Sequence, residues 1–218
     1  MQATEKDTWP QAGKHTQWPG TGLPGDAIFD EFYASIVPFD GGYERQQTAV
    51  RKAGAELLRK IGREVILLGH SQGGTMPLLI TDAEHDLVRG LVLLEPTGPP
   101  FRDVVFKNDR EKAYGITDAP LEFLPPALSE DDIQTEERPA RDDASAPCIV
   151  QAAPARILRN LVGKRTAIVT GEASYHAPYD YCTAEFLKQG GCPVEHFELG
   201  RDGYQGKRPH VVHGGKQR

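Results

Sequence analysis

Residues 65–80 read VILLGHSQGGTMPLLI, and whether Ser71 is a nucleophile or an ordinary turn serine decides how the rest of the chain is interpreted. Val65 to Leu68 is a short apolar run with β-branched residues, Met76 to Ile80 is apolar and helix-compatible, and Gly69-His70-Ser71-Gln72-Gly73-Gly74 lies between them. This predicts strand, tight turn, helix. A G-x-S-x-G turn carries chemistry where the change from strand to helix is sharp enough to lift the serine hydroxyl clear of the sheet, which forces the serine toward positive φ. Gly69 and Gly73 are expected where a Cβ would collide with neighbouring backbone. The backbone N–H of Gln72 then points at a developing oxyanion, helped by the positive end of the helix that follows.

Working outward, Val50, Ala53, Leu57, Leu58 and Ile61 recur at helical spacing before Gly62, which predicts an amphipathic helix over 45–61. Arg89 to Glu95 is a second buried strand, so a helix sits between two parallel strands. Pattern resumes as a helix over 153–161, a strand over 166–170, a helix over 179–189 and a strand over 194–199. The expected class is therefore α/β, a doubly wound, mostly parallel sheet in a single domain over 1–218. Residues 1–43 read as irregular and turn-rich, 97–150 as a lid or insertion, and 201–218 as a disordered tail.

The chain has 218 residues and a net charge of −6, which gives no reason to expect a nucleic-acid or anionic-membrane partner. No stretch reaches the roughly 18 apolar residues of a membrane span, and the first thirty residues lack an apolar leader core. The three cysteines, Cys148, Cys182 and Cys192, are odd in number and have no C-x-x-C spacing. They suggest neither a disulfide framework nor a metal site, so a reducing, cytoplasmic setting is the expectation.

A serine hydroxyl needs a histidine to take its proton and a carboxylate to orient that histidine. In a parallel sheet both belong just past the carboxyl ends of strands. Glu95 ends the strand that follows the nucleophile helix, where a buried acid would be costly without a partner. Glu172 and Asp180, after the next strand, are the alternatives.

The segments Thr16 to Gly22, Gly69 to Gly73, Leu94 to Phe101 and Thr170 to His176 resemble a group of fungal and bacterial α/β-hydrolases related to secreted-type esterases. The resemblance implies hydrolysis of carboxylic esters or related acyl bonds in a small-molecule substrate, without a cofactor, and a Ser-Glu-His triad whose acid corresponds to Glu95. It also implies that His176 lines the substrate side of its loop. Members of that group begin with strands carrying an H-G-x-G-type turn, and none precedes residue 16 here. The sheet is thus expected to be incomplete, with an open edge that permits self-association. Members end on a G-N-G-H-M-like turn that bears the catalytic histidine, whereas Gly206 is followed here by KRPHVVHGGKQR. Removing one adenine from the Lys207 codon allows the remaining codons to read G-N-G-H-M-L-F-M-E-E-N-N, so a shifted frame after Gly206 is expected. In the chain as written, His210 is the candidate base, with His213 close by and His176 as runner-up. The alternative to a working serine hydrolase is a remnant of the fold that only binds a ligand or partner.

Overall fold

The computed structural model describes residues 9–15, 17–38, 42–102 and 112–201. Its centre is a four-stranded, all-parallel sheet in the order β1-β2-β7-β8, formed by Val65–His70 (β1), Val88–Leu94 (β2), Arg165–Thr170 (β7) and Val194–Glu198 (β8). Beyond a register shift between Val65 and Ile66, the strands stay in step: Gly69 pairs with Leu93, Leu93 with Ile168, and Ile168 with His196. Side chains alternate across a strand, so Leu91, Leu93 and Ile168 share one face. Tyr43–Ile61 (α2), Met76–Ala83 (α3) and Asp180–Gln189 (α4) supply the helices. Leu58 of α2, Leu78 and Leu79 of α3, and Phe186 and Leu187 of α4 join those strand residues in one buried cluster. The helical layer of the described residues therefore covers a single face, and on the other face Ile66 and Leu68 of β1 are 64% and 63% exposed.

Helix α2 stops where the sequence predicts, because Gly62 takes a left-handed φ of +66° and its N–H bonds to the Leu58 carbonyl. Its apolar stripe is read less well: Leu58 is buried, but Leu57 and Ile61 are exposed while Gln47 is buried instead. The Gln47 side chain earns that place by polar contacts, accepting from the Asp118 and Ala119 N–H groups and donating to the Asp118 carboxylate.

Three expectations differ from the structure. Residues 1–43 are not wholly irregular, since Ala27–Ala34 forms an eight-residue helix (α1) capped by the Asp26 carboxylate. Residues 153–161 are not a helix. Ile157–Leu158 (β6) pairs antiparallel with Phe123–Leu124 (β3), and Leu161 folds back on Leu158 through a turn, which mimics helical spacing in the sequence. The Gln151 side chain fixes that path by bonding both the N–H and the carbonyl of Arg156.

The third correction is covalent. Cys148 and Cys182 form a disulfide across a separation of 34 residues, leaving Cys192 as a buried free thiol whose pKa burial pushes up to about 12. The bond joins α4 to the hairpin of Thr135–Arg138 (β4) and Cys148–Gln151 (β5). Around it the Tyr181 hydroxyl donates to the Ala146 carbonyl, the Arg141 guanidinium lies over the Tyr181 ring, and Arg141 pairs with Glu198. Neither local spacing nor count betrays this pair, because the two cysteines meet only after the insertion folds onto α4. A reducing setting no longer follows from the cysteines.

Candidate active site

β1 ends at His70, and Ser71 immediately adopts φ +53°, the start of a 3-10 turn over Ser71–Gly74 that leads into α3. That is the sharp strand-to-helix corner the sequence predicts. Gly69 is required there, since a Cβ would lie 2.3 Å from the Gly73 carbonyl oxygen and 2.9 Å from Pro77. Gly73 itself is not: nothing lies within 4 Å of a Cβ at that position. The second crowded glycine is Gly74, whose Cβ would come 2.6 Å from Pro96 Cα. The Gln72 amide side chain donates to Gln46 Oε1 on α2 at 3.0 Å, which ties the turn to the helical layer.

His70 pairs with Leu94, so Ser71 and Glu95 are the next residues on adjacent parallel strands. Glu95 also has positive φ, +46°, and is fully buried. Its Oε1 accepts the Gly171 N–H at 2.9 Å, and its Oε2 lies 4.0 Å from His70 Nε2. The strand end is pinned to the Ser71 turn, because the Thr97 N–H donates to the Ser71 carbonyl at 3.0 Å. A buried carboxylate one strand from the serine is the placement expected for an acid that orients an imidazole.

The alternative acids are engaged elsewhere. Glu172 pairs with Lys14, fastening the N-terminal segment to the loop after β7. Trp9 and His15 reinforce that junction through the Ala173 carbonyl. Asp180 is fully buried, accepts from the Thr170 hydroxyl at 2.6 Å and lies 3.4 Å from His176 Nδ1; burial raises its pKa above the ordinary value.

Residues 15–212 match the profile of the alpha/beta hydrolase family. The chain belongs to that family. Over 205 residues this alpha/beta hydrolase is 42% identical to a probable secreted lipase of a fungal species (Fungal sp.); the aligned region takes in 94% of the chain and 56% of that protein. The chain thus spans little more than half the length of this relative. No solved structure matches significantly. The cytoplasmic expectation is overturned by a relative named as secreted, in keeping with the disulfide.

Of the residues assigned from sequence, the hydrolase fold brings Ser71, Gln72 and Glu95 to one edge of the sheet. His210 and His213, with the rest of the tail, lie outside the described residues. His176 is not on an open substrate face but fully buried. A cavity of about 430 Å³ that does not have Ser71 in its lining lies beside β8 between the hairpin and α4, lined by Arg141, Tyr181, His196 and Glu198 among others. Sequence reading named Asp180 and His176 singly but missed that they join Thr170 and Tyr179 in one buried chain. Its one visible signal was a Tyr-Asp pair opening a helix directly after a strand and a histidine.

Proposed function

We propose that this chain is a serine hydrolase that cleaves carboxylic esters. Ser71 Oγ attacks the ester carbonyl carbon and passes its proton to a histidine, for which His210 is the candidate in the chain as written. The carbonyl oxygen becomes an oxyanion that accepts from the Gln72 N–H. Collapse expels the alcohol, which takes the proton from the imidazolium, and water then repeats the sequence to release the acid. Glu95 orients the histidine and stabilises its charged form.

The observation that carries this reading is Ser71 at φ +53° on the strand-to-helix corner, beside a buried glutamate at the end of the adjacent strand. A left-handed non-glycine backbone is costly, by about 1 to 3 kcal/mol, and concentrates at functional sites. The 42% identity to a probable secreted lipase supports an ester of lipid type, and with the disulfide it supports action outside the cell. The test is a fluorophosphonate probe followed by mass spectrometry of the labelled peptide. Labelling at Ser71 that disappears in Ser71→Ala is expected. A folded chain left unlabelled both as written and with NGHMLFMEENN in place of the residues after Gly206, or labelled equally in Ser71→Ala, refutes the proposal and leaves the ligand-binding remnant as the better account.

A further inference from the structure

We infer that His176 is a positioning residue, whose imidazole N–H clamps the Pro96 carbonyl and thereby holds the Glu95-Pro96-Thr97 segment against the nucleophile turn. The inference rests on the hydrolase reading of Ser71 and Glu95. His176 Nδ1 lies 3.1 Å from the Pro96 carbonyl oxygen in a fully buried setting. That oxygen can only accept, so the contact is a hydrogen bond in the tautomer that carries its hydrogen on Nδ1.

The clamp closes on a segment already constrained from its other side. Pro96 is the residue a Cβ at Gly74 would strike, Thr97 donates to the Ser71 carbonyl, and Glu95 receives the Gly171 N–H. Pro96 is therefore wedged between the turn that carries the nucleophile and the ring of His176. The same nitrogen also has Tyr179 Oη at 2.9 Å and Asp180 Oδ1 at 3.4 Å. Asp180 is anchored in turn by the Thr170 hydroxyl, which also meets His196 Nε2 at 2.9 Å. The chain of contacts runs from β8 through the end of β7 to the end of β2.

The distinguishing experiment compares His176→Leu with His176→Asn in the full chain, since Asn Nδ2 sits at the same bond distance from the backbone as histidine Nδ1. The readouts are the second-order rate of Ser71 labelling by a fluorophosphonate, per folded molecule, and the unfolding temperature. Misplacing a catalytic group by about 1 Å can slow reaction by about a hundredfold, so a smaller shift is expected to cost about tenfold. His176→Leu is expected to label about tenfold more slowly and His176→Asn to recover most of that loss. Parent-like labelling in His176→Leu, or equal slowing in both variants, overturns the inference. Should His176→Leu not fold, His176→Gln replaces it, with its N–H one bond too far out; a parent-like rate there overturns the inference equally. If the parent is not labelled at all, the clamp is read instead from hydrogen exchange at the Gly171 and Thr97 amides. Faster exchange in His176→Leu but not in His176→Asn supports the clamp, and exchange unchanged in both refutes it.

Discussion

Reducing the Cys148–Cys182 disulfide should loosen the β4–β5 hairpin from α4 and lower stability by an amount the connectivity sets. In the chain-entropy account, opening a loop of 34 residues restores unfolded-state freedom corresponding to about 4 kcal/mol at 25 °C. For a chain of this length, each kcal/mol moves the unfolding temperature by roughly 2–4 °C, so reduction should lower it by about 8–16 °C. The residues around the bond make the effect local as well as global. Val150 and Tyr179 pack in the same small cluster, while Arg141 and Asp142 reach the end of β8 and Arg201 by ion pairs exposed enough to contribute little alone. The assay is thermal unfolding by circular dichroism with and without reductant, with Cys148→Ala/Cys182→Ala as the non-reducible control. It is accompanied by thiol titration in denaturant and by limited trypsin digestion at Arg141. One reactive thiol before reduction and three after, with faster cleavage in the reduced protein, is expected. Three thiols in protein that was never reduced, or an unfolding temperature unchanged by reductant, would refute the reasoning.

Gly69→Ala should destabilise the protein by roughly 1–3 kcal/mol, because its methyl meets the Gly73 carbonyl and Pro77. Gly73→Ala should stay within about 0.5 kcal/mol of the parent; chemical denaturation of both variants checks the contrast, and equal losses would show the corner to be misread. Asp82, buried at the end of α3, has its carboxyl pKa raised above 3.8 chiefly by desolvation, against the opposing pull of the Glu122 N–H and Arg51. The folded state holds that proton more tightly than the unfolded one, so the associated stability is complete below pH 3.8 and is lost as pH rises through the raised value. Asp82→Asn should therefore show a smaller fall in its urea midpoint between pH 4 and pH 7 than the parent, and parallel curves would contradict this. A chain whose residues after Gly206 are replaced by NGHMLFMEENN should hydrolyse a p-nitrophenyl ester at least about a hundredfold faster than the chain as written, since a general base contributes that much or more. No gain would argue against a shifted frame.

The stretch 65–80 determined a great deal by itself, because strand, corner and helix there are dictated by local sterics. An apolar run, a glycine where no Cβ fits and a following apolar helix leave the chain few other conformations, and Ser71 is found at positive φ accordingly. Helix α2 and strands β2, β7 and β8 were legible for the same reason, since their apolar patterning and the turn residues that end them act over a few residues. Glu95 was legible as a strand-end acid, although its burial and its bond to Gly171 were not. What tertiary structure decided are the features made by residues far apart in the chain. Leu158 and Leu161 imitate a helix until β3 is beside them, and Gly74 is revealed as a tight glycine only once Pro96 is packed against it. Cys148 finds Cys182 across the folded insertion, and His176 becomes a buried clamp only because the loop after β7 closes over the end of β2. Local sterics are written in neighbouring residues, whereas burial and long-range pairing depend on which surfaces the packed sheet brings into contact.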